Sequence, residues 1–429
     1  MSVQSEQQFY SAFDPDVPSP GTFSQFYVDL DRARGGEITE PLIRELRRAN
    51  PARPVCRLLA GHKGCGKTVE LMHMKAELER DGSFTVFHWL AEATIDLAGV
   101  DFPDLALGLV GGLSRWLKNT HNIQLKPGYF ATLGTRLKDY LQSEVSFDDL
   151  DLEAGIAKIT AHIKQSPSVR AEVRAALDPD SDSLLEAVNS VIGEAKEKLR
   201  GAGRSANLVI LLDDLDKGGW DRHPTAGMTT GEFLFDKRHL QLRGLNCHVL
   251  YVLPLDLAYG RIAGTLQNRY GDIPLIPMVK IRTRPPEGKD HLEGLAIMRD
   301  MIRKRREFAG YHAEADAFAP GMADQLIRAS GGEPRQLMHL VRQAVNYGGL
   351  PIQPPAAELA LTSARKTLRR PMSNDDWKIV ASVSQTGRLP REAATEDRVR
   401  GLLLNRQLLQ YSNGDEWFAP SPLLGEPPA

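Results

Sequence analysis

Four short apolar runs stand out along the chain: Val55–Ala60, Thr85–Leu90, Asn207–Leu212 and His248–Leu253. They show almost no alternation of polar and apolar positions, as expected for strands covered on both faces. Helical periodicity lies between them, so this part predicts an α/β domain built on a mainly parallel sheet. The gap between the second and third runs is long. Residues 92–204 carry the helical patterns LALGLVGGLSRWLKN, VRAEVRAAL and SLLEAVNSVIGEAKEKL, punctuated at Phe102–Pro103, Lys126–Pro127 and Asp178–Pro179. With no second strand–helix alternation inside it, this stretch reads as a helical insertion of the core domain.

Either side of the core the pattern changes. The first fifty residues read as a polar extension, broken by turn signals from Pro15 to Gly21 and ending in a short helix near Arg48. Residues 288–370 read as all-helical, and 374–424 as a small separate unit of two helices and a hairpin turning at Asn413–Gly414. The predicted organisation is therefore an extension (1–50), a core (51–287, with 92–204 inserted), a helical segment (288–370) and a terminal module (371–429). Pro285–Pro286 and Pro351–Pro355 are the predicted joints.

Composition narrows the class. Of 429 residues, 25% are charged, and 53 Lys+Arg against 55 Asp+Glu leave a net charge of −2. That excludes nucleic-acid binding by bulk charge alone, while leaving room for a local basic face. Three scattered cysteines (Cys56, Cys65, Cys247) exclude a disulfide scaffold. Neither a signal pattern nor a membrane-length apolar run is visible, so a soluble cytoplasmic protein with no membrane partner is expected.

Candidate chemistry lies at the ends of two predicted strands. Gly61-His62-Lys63-Gly64-Cys65-Gly66-Lys67-Thr68 fits G-x-x-x-x-G-K-[ST], directly after VCRLLA and directly before the helical VELMHMKAELER. Strand, loop and helix in that order make a phosphate cradle: the glycines let backbone N–H groups turn inward, and the helix start adds its dipole. Gly61, Lys63, Gly64, Cys65, Gly66, Lys67 and Thr68 are the predicted nucleotide contacts. Lys67 would face the β and γ phosphates, and Thr68 would offer a hydroxyl to Mg²⁺. The second element is NLVILL running into Asp213-Asp214-Leu215-Asp216-Lys217. Asp213 is the expected Mg²⁺ partner, held mostly through water, and Asp214 the residue expected to orient the attacking water. An acidic turn capping the next helix is the competing reading of both. Asp216 reads as a turn residue. His62 reads as a tolerated variable position, and Cys65 as an exposed thiol without activating neighbours. No N-K-x-D segment follows the sheet and no H-R-D or D-F-G occurs, so ATP is favoured over GTP and a protein kinase is excluded.

On these residues the chain resembles the AAA+ P-loop ATPases, in the branch that joins origin-recognition-type initiators to bacterial regulatory ATPases of the STAND type. GHKGCGKT, LVILLDDLDK, VLYVLPLDLAYG and ASGGEPRQLMHLVRQAV carry the resemblance, together with a winged-helix-like tail. It implies a helical lid over 288–370, in which Arg335 of Gly331-Gly332-Glu333-Pro334-Arg335 reaches the γ-phosphate, and an arginine finger at Arg269 offered to a neighbouring subunit. Arg261 competes for that last role. The chain departs from the family where Tyr251-Val252-Leu253-Pro254 ends the fourth strand without a polar sensor residue, and where Asp214 replaces a glutamate. Slow hydrolysis is the consequence expected.

The resemblance thus implies an ATP/ADP-bound, homo-oligomeric regulatory switch acting on a protein effector in trans, with anti-phage defence as one setting. The alternative is a DNA-binding ATPase of initiator or transposition-regulator type. Two places discriminate. The terminal module offers Arg398, Arg400 and Arg406 against Glu396, Asp397, Asp415 and Glu416, which favours protein–protein or intramolecular docking over duplex DNA. Arg299, Arg303, Lys304, Arg305 and Arg306 share one predicted helix, where a solvated face is the default and a subunit interface or nucleic-acid channel the alternative.

Overall fold

The computed structural model describes residues 3–16, 23–50, 52–126, 128, 152–177, 181–218, 222–223 and 226–426. Two compact units emerge, each assembled from separated stretches of chain. One comprises Thr39–Ala60 and Leu71–Pro274, the other Met1–Ile38, Gly61–Glu70 and Leu275–Ala429.

The first unit holds the α/β core. Strands β1 (Cys56–Gly61), β2 (Thr85–Leu90), β3 (Leu208–Asp213) and β4 (His248–Leu253) fall within a residue of the predicted runs. They lie in the order β2-β3-β4-β1, and every pairing among them is parallel. All six residues of β3 and of β4 are buried, which is why these runs lack a polar side. Consecutive β1 and β2 are not neighbours, because β3 and β4 lie between them.

In the described part of the insertion, helices span Phe102–His121, Leu152–Gln165, Pro167–Leu177 and Ser181–Gly201. Phe102–Pro103 is the first turn of its helix, started by a capping box between Asp101 and Asp104. Pro127, Asp178 and Pro179 lie outside the described residues, as do residues 17–22 of the opening turn region. LALGLVGGL is explained by close packing: a Cβ at Gly108 would come within 2.4 Å of Ile95 and 2.9 Å of the Trp89 ring. Asp104 is buried and bridges Arg170 (3.3 Å) and Arg174, and Arg170 also pairs with Asp96 at 2.9 Å. Asp101 accepts two 2.9 Å bonds from Arg238.

The second unit is organised around helices Leu292–Phe308, Met322–Ser330, Pro334–Gly348 and Pro354–Arg369. The polar reading of the opening residues missed a helix at Val3–Ala12. Its Phe9 and the nearby Phe13, one turn apart, stack at 4.6 Å, and Phe9 meets Tyr311 edge-on at 5.1 Å. Together with Ala12, Leu30 and Ala33 they share one apolar core with Leu295, Met298, Leu337 and Val341. The basic cluster on Leu292–Phe308 divides accordingly. Arg305 is buried, donates to the Ala12 carbonyl at 2.6 Å and lies over the Phe26 ring, while Lys304 donates to Tyr27 O at 2.6 Å. Arg306 caps the Tyr311 carbonyl, and Arg299 and Arg303 pair with Asp324, Asp300 and Glu307.

The terminal module has helices Asn374–Thr386 and Glu396–Leu404, then the hairpin β6 (Leu408–Ser412) and β7 (Glu416–Pro420), β5 being the short Leu275–Ile276. Tyr411 pairs with Trp417 across the hairpin, their buried rings stacked at 4.4 Å. Gly414, at φ +98°, supplies the expected turn.

Candidate functional site

The phosphate loop follows β1 and ends in the helix Lys67–Glu79. Gly64 and Gly66 take the left-handed backbone that turns the loop, at φ +84° and +101°. Lys67 is buried, and its ammonium donates to the loop's own carbonyls at Gly61 (2.9 Å) and His62 (2.7 Å). An ammonium held by its own loop, beside a helix N-terminus, has the donors a phosphate group needs. Thr68 is half-buried in the first turn of the same helix.

Residues that the motif does not include grip this loop. Arg34, 1% exposed, bonds the Cys65 carbonyl and pairs with Glu70 at 2.5 Å. Cys65 is itself fully buried, which corrects the expectation of an exposed thiol. His62 is buried too. Its Nε2 accepts from the Gln410 N–H at 2.9 Å, so Nδ1 carries the proton and donates to Leu403 O at 3.0 Å. Burial, helped by nearby Lys67, pulls its pKa down to about 3. His62 is thus a structural tie to the terminal module rather than a tolerated variable position.

The Gly331–Arg335 segment also meets the loop. Arg335 donates its backbone N–H to Gly64 O at 3.3 Å, and its Nε reaches Pro15 O at 3.3 Å. Two side chains lie against the loop at Gly64: Glu333, whose Oε1 stands where a Cβ on Gly64 would collide with it, and Arg335, whose own Cβ would lie 3.0 Å from that Cβ. Glu333 is buried and pairs with Arg406 at 2.7 Å. Burial raises its pKa, while Arg406 opposes the shift.

The acidic strand end belongs to the α/β unit. Asp213, the last residue of β3, accepts from the Asp214 N–H at 2.8 Å through Oδ1 and lies 3.4 Å from His88 Nε2 through Oδ2. His88 is a neighbour that sequence reasoning missed. Its place in the apolar run TVFHWL is the only signal, and that says nothing of Asp213. Asp214 has φ +73°, uncommon for a residue with a side chain. Its carboxylate pairs with Lys217 at 2.9 Å, and burial raises its pKa. Asp216 is buried in the turn that follows. Tyr251, near the end of β4, gives its hydroxyl to Leu242 O at 2.8 Å. Arg269 pairs with Asp236 at 2.6 Å, and Arg261 with Glu232 at 3.3 Å.

These features define an α/β protein with a parallel sheet and a phosphate loop. Among solved structures the chain matches the Orc1 protein of Aeropyrum pernix in complex with DNA, at 13% identity over 91% of both chains with a TM-score of 0.36. It also matches Cdc6p from Pyrobaculum aerophilum, at 13% identity over 96% of this chain and 94% of that one, with a TM-score of 0.39. No family model matches the chain, and no curated protein does. No described helix is long and apolar enough to cross a membrane.

Proposed function

We propose that the chain is an ATP-binding P-loop ATPase that works as a nucleotide-gated switch. The observation that carries this reading is the buried Lys67 ammonium, held by its own loop at the start of a helix. In this reading the loop N–H groups and Lys67 hold the phosphates, Thr68 and Asp213 serve Mg²⁺, and Asp214 orients water. Bound Mg²⁺ supplies charge neutralisation at the phosphates. Hydrolysis by a short, Lys217-paired Asp214 would be slow. The lid role of Arg335 requires its side chain to leave Pro15 O, and a trans role for Arg269 requires it to leave Asp236.

Two outputs fit such a switch: a protein effector, or duplex DNA in an ATPase of initiator type. One of the two matched structures was solved with DNA. Charge bears on the choice of partner: Arg398 pairs with Asp375 and Asp376 at 3.3 Å, Arg400 is buried, and Arg406 serves Glu333. Arg299 and Arg303 are likewise paired with carboxylates, so a DNA contact through these arginines would have to exchange those carboxylates for phosphate.

Calorimetric titration with ATP and ADP in Mg²⁺ tests the reading. The parent is expected to bind, and Lys67→Ala to lose binding while melting as a folded protein. Equal affinities in the two proteins would sink it.

A further inference from the structure

The terminal module meets the phosphate-loop segment through a compact set of polar contacts. His62 bonds Leu403 and Gln410, the Tyr411 hydroxyl donates to Gly331 O at 2.6 Å, and Arg406 pairs with Glu333. Arg406 follows the helix Glu396–Leu404 with a left-handed φ of +59°, a conformation that side chains other than Asn, Asp or Gly seldom take. That backbone carries its guanidinium to within 2.7 Å of the very oxygen, Glu333 Oε1, that lies against Gly64. The Glu333 carboxylate thus touches both this guanidinium and the backbone of Gly64.

A carboxylate over a phosphate loop, paired with an arginine, is an anion where an anionic ligand belongs. Guanidinium groups bind carboxylate and phosphate oxygens through the same forked geometry. Glu333 repels an incoming triphosphate, and Arg406 attracts it. We propose that Arg406 is a nucleotide-phosphate contact supplied by the terminal module, with Glu333 as the internal anion it exchanges for ATP. This rests on the ATP-binding reading above and deepens it. Without nucleotide, Arg406 pairs with Glu333 over Gly64. With ATP in the loop, phosphate oxygens take over Arg406 and Glu333 is displaced. His62 and Tyr411 keep the module against the loop segment, so the exchange is felt directly by β6.

The test compares ATP and ADP affinities, by calorimetric titration in Mg²⁺, for the parent, Arg406→Gln, Arg406→Lys and Glu333→Gln, with Lys67→Ala as the non-binding control. Arg406→Gln is expected to weaken ATP by about 10- to 100-fold, the scale of one lost hydrogen bond to a charged group, and Arg406→Lys to recover part of that. Glu333→Gln is expected to tighten ATP, since it removes the competing charge and leaves Arg406 in place. ATP affinity unchanged in Arg406→Gln, or lowered in Glu333→Gln, would overturn the exchange while leaving ATP binding by the parent intact. A parent as blind to ATP as Lys67→Ala would instead remove the underlying reading. Should Arg406→Gln melt as an unfolded chain, the direction of the Glu333→Gln effect decides alone.

Discussion

His62 shows how one side chain acquires a role from its surroundings. In the sequence it occupies a variable position of a phosphate-loop motif. In the fold it is fully buried, neutral and bonded through both ring nitrogens. A histidine titrates near 6.5 in the unfolded chain and here near 3. Between these values the unfolded chain takes up a proton that the folded one refuses. The stability His62 contributes is therefore complete above about pH 6.5 and drains away as pH falls toward 3, by up to about 1.4 kcal/mol per pH unit. Urea unfolding at pH 7 and pH 5 should show the loss, and His62→Ala should reduce it. At pH 7 that substitution should cost about 2–4 kcal/mol, since it strands the Gln410 N–H and the Leu403 carbonyl. Equal pH dependence in parent and variant would refute the assignment. The same distinction holds at Lys67 and Glu333. Motif spacing made Lys67 legible, whereas nothing in Gly-Gly-Glu-Pro-Arg says that the glutamate carboxylate comes to lie against Gly64 beside the arginine.

At the scale of elements, the helix Val3–Ala12 was hidden because its polar positions outnumber its apolar ones. Its burial rests on Phe9, which packs on Phe13 and meets Tyr311 and Phe318 from far along the chain. Local periodicity does not report such partners. Phe9→Ala should destabilise the protein by about 3–5 kcal/mol, the usual cost of emptying a buried aromatic site. A change below about 1 kcal/mol in denaturant unfolding would mean that this helix is not part of the core. In the insertion, Asp104 both caps its helix and neutralises Arg170 and Arg174. Asp104→Ala should cost about 2–4 kcal/mol, because Arg174 loses its carboxylate and the buried Arg170 is left with Asp96 alone; the same unfolding measurement checks it. The strands were the reverse case. Unbroken apolar runs in β3 and β4 can be satisfied only by cover on both faces, so their positions were readable to within a residue.

For the whole molecule, the decisive measurement is mass by light scattering in ADP and in a non-hydrolysable ATP analogue, with and without duplex DNA. A switch acting on a protein partner should assemble with the analogue alone. Assembly that requires DNA would put the initiator-type output first. The sequence by itself determined the α/β class, the strand positions, the terminal hairpin and the phosphate loop. Each follows from local patterns: apolar runs, turn chemistry at Asn413–Gly414, glycines before Lys67. Only the tertiary structure decided the strand order, in which β3 and β4 separate β1 from β2. It likewise decided that the loop Gly61–Glu70 belongs to one compact unit with the chain's two ends. Strand order and unit membership depend on pairings between residues distant in sequence, as do the bonds of His62 and Glu333. A one-dimensional pattern records which side chains want burial or a partner, but the partner is chosen when the chain closes on itself.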